Sequence, residues 1–316
     1  MKEYTIGGDF SGARFDRYCS KILKDLPVSA VQKMLRTGKI KLNAKKAKPQ
    51  TRLAEGDRVA FYTDIPQKTA EYKDYDLDII YEDERILAVS KPAGLLSHPD
   101  GKKDNSLSEM TEAYLAESAE NAGTAFSSAV ITRLDFNTSG IAVAAKSRIA
   151  AKELSELSKN KKIIKKYLAL AAGKFDETVH AHNSYHKDAE LNMVTVGEPS
   201  GEDSDMESIF TPVITGSECS LICAELITGR PHQIRAQLLS IGHPVIGDTK
   251  YFSPLSRKIS SECSAKRQFL HCWYVKIPDI SEDIVITCRP GEDLLEILGY
   301  FGMQLDFDKL ADMTEN

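Results

Sequence analysis

A chain of 316 residues offers many side chains that could carry chemistry, and three short segments hold most of the candidates. Thr132-Arg133-Leu134-Asp135-Phe136-Asn137-Thr138-Ser139-Gly140 sets an acid in a turn, two residues after an arginine and just before the apolar run Ile141–Ala145. A carboxylate so placed can serve as a nucleophile or a base. Asp, Asn, Thr, Ser and Gly in a row are also ordinary turn residues. Leu226-Ile227-Thr228-Gly229-Arg230-Pro231-His232-Gln233-Ile234-Arg235 predicts a strand end, a turn at Gly229 and a helix over His232 to Leu239, with Pro231 suited to its first position. Ile234, Leu238 and Ile241 form that helix's core-facing stripe, and Arg235 lies beside it, so its guanidinium can point inward, where it needs a carboxylate partner. His232 reads first as a structural hydrogen-bonding residue. Lys165-Lys166-Tyr167-Leu168-Ala169-Leu170 begins an apolar strand, and on its own Tyr167 reads as an edge aromatic of the core.

The surrounding elements form two groups. Phe15–Leu23 has helical spacing, with Phe15, Tyr18, Cys19 and Ile22 on one face. Ser29 is a suitable cap for a second helix over Ala30–Arg36, which Gly38 ends. The short strands Ile40–Asn43 and Asp57–Tyr62 follow. Residues 63–77 read as a linker. From Asp78 onward a hairpin around Glu82–Arg85, a helix over Leu107–Ala116, the strand 141–145, a helix over Ile149–Leu157 and strands at Tyr167–Ala171 and Leu221–Ile227 alternate. Val194–Glu207 reads as an exposed loop. The expectation is an α+β fold: a mixed, largely antiparallel sheet over 78–300, a small N-terminal α/β domain over 1–62 and an acidic, solvated tail over 301–316.

The net charge of −5 hides a polarity along the chain. Residues 1–62 hold fourteen cations against six acids, a surplus of eight, and 279–316 hold ten acids against two cations, a deficit of eight. A basic head of this kind holds a polyanion, and Lys33, Arg36 and Lys39 crowd around the second helix. No window has the apolar length of a membrane span, and the start Met1–Thr5 lacks the apolar core of a signal peptide, so cytoplasm is the expected location. The six scattered cysteines include no Cys-x-x-Cys pair and read as reduced core thiols rather than a metal site.

In this order the segments resemble the pseudouridine synthases of the RluA family, whose pattern runs His-Arg-Leu-Asp-x-x-Thr-Ser-Gly, then Lys-x-Tyr, then Thr-Gly-Arg-x-His-Gln-Ile-Arg and Gly-x-Pro-Ile-x-Gly-Asp-x-x-Tyr. Here the last portion stands as Gly242-His243-Pro244-Val245-Ile246-Gly247-Asp248-Thr249-Lys250-Tyr251. Lys91-Pro92-Ala93-Gly94-Leu95-Leu96-Ser97-His98-Pro99 and Leu270-His271 match further segments, and the resemblance spans about residues 78–290. Thr132 departs from it, since the family usually has His there. The head, FDRYCSKIL through VSAVQKMLRTGKIKLN to EGDRVAF, resembles an S-four-like RNA-binding domain.

The resemblance implies that Asp135 is the catalytic carboxylate, that Tyr167 packs against the target base and that Arg235 pairs with Asp135. It implies that Arg133 fills the space vacated by the target nucleotide or contacts its phosphates, that Leu270 walls the pocket, and that Arg230 joins them in holding substrate. RNA, in particular large-subunit ribosomal RNA, is the expected partner of a monomeric enzyme, with transfer RNA and a non-catalytic RNA-binding role as alternatives. Isomerising a uridine needs no redox cofactor, nucleotide or metal, so none is expected.

Overall fold

The computed structural model describes the chain except residues 24–25, 64–76, 101–105, 118–128, 189–192, 200–204, 280–281 and 313–316. The segment read as a linker therefore lies almost wholly outside the described residues.

In the N-terminal unit the apolar periodicity is realised as expected. Strand β1 (Lys2–Thr5) is followed by helices α1 (Phe15–Ile22) and α2 (Val28–Thr37), then strands β2 (Ile40–Leu42) and β3 (Arg58–Phe61). The sheet order is β1-β3-β2, antiparallel throughout. Phe15, Tyr18 and Cys19 of α1 and Val31 and Leu35 of α2 close a core of their own with Ile40, Val59 and Phe61. Gly38 ends α2 in the left-handed region at φ 75°. Ser29 is not the cap: the helix starts two residues earlier, at Val28 behind Pro27, whose fixed φ sets the first turn without a side-chain hydrogen bond. Lys33, Arg36 and Lys39 all face solvent.

The second unit is built on one large sheet. Its strands are β4 (Ile79–Glu82), β5 (Ile86–Lys91), β6 (Ala129–Val130), β7 (Ser139–Ala145), β8 (Ile164–Ala172), β9 (Val179–Asp188), β10 (Met193–Gly197), β11 (Met206–Ile214), β12 (Cys219–Leu226), β13 (Leu270–Ile277) and β14 (Ile284–Thr287). The helices are α3 (Leu107–Glu117), α4 (Arg148–Lys159), α5 (Gln233–Ser240), α6 (Pro254–Glu262), α7 (Glu292–Tyr300) and α8 (Phe307–Asp312). The strand order is β10-β9-β11-β12-β8-β13-β7-β5-β4, with β14 on β13 and β6 on β7. Every described pair is antiparallel except β13 with β7, which makes the sheet mixed and largely antiparallel.

Two of the expectations need correction. Val194–Glu207 is not simply a loop: Val194 lies in β10 and Glu207 in β11, and Val194 and Met206 are buried. Gly, Pro and acidic residues within the segment masked the short apolar alternation at its two ends. The C-terminal stretch is not solvated throughout either, because Met303 and Leu310 pack into the main core despite their acidic neighbours.

Candidate active site

Strands β7 and β8 and helix α5 bring the three singled-out segments to one place. The loop Thr132–Thr138 leads into β7, Lys165 and Tyr167 lie on the same face of β8, and the turn Gly229–His232 opens α5. Between them lies a cavity of about 320 Å³, lined by Asp135, Arg133, Tyr167, Arg230, Arg235 and Leu270 among others. These are six of the nine residues singled out from sequence. Lys33 and Arg36 sit instead on the exposed side of α2 in the N-terminal unit, and Lys39 is exposed just past the end of that helix.

The centre of the site is an arginine held between two acids. Arg235 Nη1 donates to Asp135 Oδ2 at 2.9 Å, while Nε and Nη2 form a bidentate pair with Asp248 at 2.5 and 2.8 Å. The Arg235 side chain is 6% exposed, Asp248 is sealed, and Asp135 keeps 25% of its side-chain surface open. Burial alone would lower the Arg235 pKa, but the two carboxylates outweigh it and raise it further, so the guanidinium is permanently charged. Asp248 Oδ1 also accepts the backbone N–H groups of Lys250 and Tyr251 at 2.8 and 3.0 Å. The Tyr251 ring lies 4.9 Å from the guanidinium. Its hydroxyl accepts the Val194 N–H at 2.6 Å and stands 2.9 Å from His232 Nδ1. The strand end that reads as loop in the sequence thus supports the site through Tyr251.

Asp135 itself sits in a turn closed by the Thr138 N–H to Asp135 carbonyl bond at 3.0 Å. Side chains clamp this turn from several sides. Ser97 Oγ donates to the Leu134 carbonyl at 2.9 Å and accepts its N–H at 3.0 Å. The fully buried Lys91 donates to the carbonyls of Pro92, Leu95 and Phe136 at 2.8, 2.7 and 3.3 Å. Arg267 donates to the Asn137 carbonyl at 3.2 Å and to Ser139 Oγ at 3.1 Å. Thr132, where a histidine is usual in the resemblance, turns inward: its hydroxyl accepts the Val143 N–H at 2.7 Å and pins the loop to β7.

Two glycines make the geometry possible. Gly140, at φ 109°, lets β7 run parallel against β13, where a Cβ would stand 2.1 Å from the Cys272 carbonyl oxygen. Gly247, at φ 79°, presses the turn bearing Asp248 against the backbone of Arg267, where a Cβ would meet a carbonyl oxygen at 1.9 Å.

Tyr167 is no edge residue. It sits on β8, paired on one side with Ala224 of β12 and on the other with Cys272 of β13, and one side of it faces the cavity. Burial pushes its phenol well above the ordinary range, so it stays neutral. His232, in the left-handed region at φ 55°, precedes α5, which begins at Gln233 rather than at Pro231. Burial lowers the His232 pKa, which favours the neutral imidazole, and its bond to Tyr251 fits a structural role. Gln233 is fully engaged: its Oε1 accepts from Thr228 Oγ1 and the Arg230 N–H at 2.8 and 3.0 Å, and its Nε2 donates to the Glu207 carbonyl and Ser208 Oγ at 2.9 and 2.8 Å. Among the described residues no three His, Cys, Asp or Glu side chains converge as a metal site.

Sequence reasoning missed Asp248, Lys165 and Arg267 as parts of this site. A charged residue beside an apolar run was the available signal for each. The assembled arrangement is an acid with an open face, oriented by a fixed cation, beside a neutral aromatic surface in a cavity of nucleoside size. It can attack or deprotonate a sugar while holding a flat base nearby.

Comparison with known proteins gives the same reading. A family model described as RNA pseudouridylate synthase matches residues 85–240. The chain is 32% identical over 293 residues to an uncharacterized RNA pseudouridine synthase of Mycoplasma genitalium, covering 88% of this chain and 90% of that one. It is 29% identical over 315 residues to the ribosomal large subunit pseudouridine synthase C of Vibrio vulnificus, covering 93% and 94%. Among solved structures, human RNA pseudouridylate synthase domain containing 4 superposes with a TM-score of 0.57 at 19% identity, covering 72% of this chain and 94% of that one. At that identity the likeness concerns the fold.

Proposed function

From the premise that the chain belongs to the RNA pseudouridylate synthase family, in its RluA branch, and is therefore an RNA-modifying isomerase, we propose that Asp135 carries the chemistry and that the substrate is large-subunit ribosomal RNA. The observation behind the first part is the Asp135–Arg235–Asp248 arrangement at the cavity wall, with Asp135 alone of the two acids left open.

The reaction breaks the bond from ribose C1′ to uracil N1 and forms one from C1′ to C5. The C5 proton leaves and N1 gains one, so atoms balance with no external reductant. Asp135 either attacks C1′ or removes a ribose proton to give a glycal-like intermediate, and both routes need the anion. Arg235 orients the carboxylate through a charge-assisted bond. Tyr167 offers a face on which the detached uracil turns, and base–aromatic stacking of this kind is worth about 1–3 kcal/mol. Arg133 and Leu270 border the space that an unstacked nucleotide would enter, and unstacking costs about a few kcal/mol.

Residues 1–62 act in this proposal as an S-four-like head, and 78–300 as the catalytic unit. Lys33 and Arg36 on the exposed side of α2, and Lys39 just past its end, neutralise RNA phosphates away from the reacting centre. Binding energy gathered there offsets the cost of drawing the uridine out. The name of the Vibrio vulnificus relative, which specifies the ribosomal large subunit, favours ribosomal over transfer RNA. Mapping pseudouridines in cells lacking the gene tests this. Loss of defined sites in large-subunit ribosomal RNA, restored by the wild-type gene, is expected. An intact ribosomal pattern with sites missing from transfer RNA would overturn the ribosomal assignment.

A further inference from the structure

Two cations in the cavity have no partner in the catalytic arrangement. Lys165 projects from the same face of β8 as Tyr167 and lines the cavity about 7 Å further along the strand. Its Nζ lies against the backbone of the turn before α5, only 3.3 Å from where a Cβ on Gly229 would stand. No carboxylate or carbonyl among the described residues pairs with it. The next residue in that turn, Arg230, also lines the cavity, and its Nε is buried with no hydrogen-bond partner. The Arg230 backbone N–H is already engaged by Gln233 at 3.0 Å, which fixes the turn. Gly229 and Pro231 on either side are exposed, so the pair sits at the rim rather than the floor.

Both side chains carry donors and no acceptors, so the group they await must accept and carry negative charge. A buried donor left unpaired is the exception in folded proteins and calls for a ligand or water. In RNA the anionic acceptor is the phosphodiester; uracil is neutral and the ribose hydroxyls are both donor and acceptor. The acid nearby, Asp135, is already matched by Arg235.

We propose that Lys165 and Arg230 form a seat for a phosphodiester of the RNA strand next to the target uridine, which fixes the depth to which the nucleotide enters. The proposal rests on the isomerase reading and names a contact that it leaves open. Burial lowers the Lys165 pKa, and an arriving phosphate opposes that shift.

The test uses the full chain and a transcript of large-subunit ribosomal RNA as probe. Binding is measured against salt for the wild type, Lys165→Met, Lys165→Arg and Arg230→Gln, with thermal melts to show that each variant is folded. Lys165→Met and Arg230→Gln each weaken binding about tenfold and flatten the slope of log K against log salt by about 0.7–0.9. Lys165→Arg keeps the wild-type slope. In turnover the loss falls mainly on KM, because the phosphate is the same in ground and transition states. An unchanged salt slope in the folded variants overturns the seat, even if kcat drops, since that would place the two cations in the chemistry or in the scaffold. Should Lys165→Met not fold, Arg230→Gln decides alone. A wild type that binds the transcript but forms no pseudouridine on it would defeat the ribosomal reading instead, and would leave the slope comparison standing.

Discussion

Arg235 divides its five donors unequally, and that division is the main physical fact of the site. It gives two bonds to the sealed Asp248 and one to the partly open Asp135. The buried pair with Asp248 supports the guanidinium, and the guanidinium supports the working carboxylate. Asp248→Asn should leave that cation half-matched in the interior. A stability loss of about 3–5 kcal/mol in denaturant titration is expected, with kcat falling about a hundredfold as Asp135 loses its orientation. Undiminished turnover would show that Asp135 does not need this support. His271 makes a second prediction at this scale. Its Nε2 lies 3.0 Å from the Cys288 carbonyl and its Nδ1 2.9 Å from Ser139 Oγ, and burial pushes its pKa down to about 4. Since the unfolded chain takes up this proton first, the neutral ring's contribution is complete above about pH 6.5 and is lost as pH falls through about 4, a change of about 3 kcal/mol. Urea titrations across that window should show His271→Gln less sensitive to acid than the wild type by one proton. Equal sensitivity would contradict a neutral buried His271.

The elements explain why a turn can hold a catalytic group steadily. The loop before β7 is fastened by Lys91 and Ser97 from one stretch of chain and by Arg267 from another, distant one. Arg267 also pairs with Asp293 in the first turn of α7, and its backbone packs on Gly247 beside Asp248. It therefore touches the supports of both acids. Arg267→Leu should lower kcat more than it raises KM and cost about 2–3 kcal/mol of stability, with Arg267→Lys recovering part of both. A kcat equal to wild type would make Arg267 a surface tie only. Much of this level could be read from sequence: the 141–145 strand, the hairpin before it, the helix carrying Arg235 and the turn at Gly229 all follow local periodicity and breakers. What escaped has physical reasons. Asp248 lies thirteen residues beyond Arg235 and meets it only because Gly247 bends the turn back, and a bent turn leaves no periodic trace. Lys165 reads as a solvated strand start until its neighbour turn is placed. The short strand bearing Val194 is hidden by the polar sequence that follows it. The pairing of Asp135 with Arg235 was anticipated from the family resemblance, not from spacing.

Across the whole molecule, charge and chemistry are separated. The cations of residues 1–62 gather on a unit with its own core, while the cavity lies in the large sheet. Such a division lets affinity and turnover be altered independently. Neutralising Lys33, Arg36 and Lys39 together to Gln should flatten the salt dependence of RNA binding by about 2–3 in log–log slope, while kcat at saturating RNA stays near wild type. No change in slope would make the head's charge incidental. The chemistry proposed for this molecule depends on the open carboxylate of Asp135, and the most direct measurement is pseudouridine formation by Asp135→Asn on RNA from cells lacking the gene. The substitution keeps size and hydrogen-bonding reach but removes the anion. A folded protein that binds RNA like the wild type and forms no pseudouridine is expected. Turnover at a rate comparable to the wild type would contradict it.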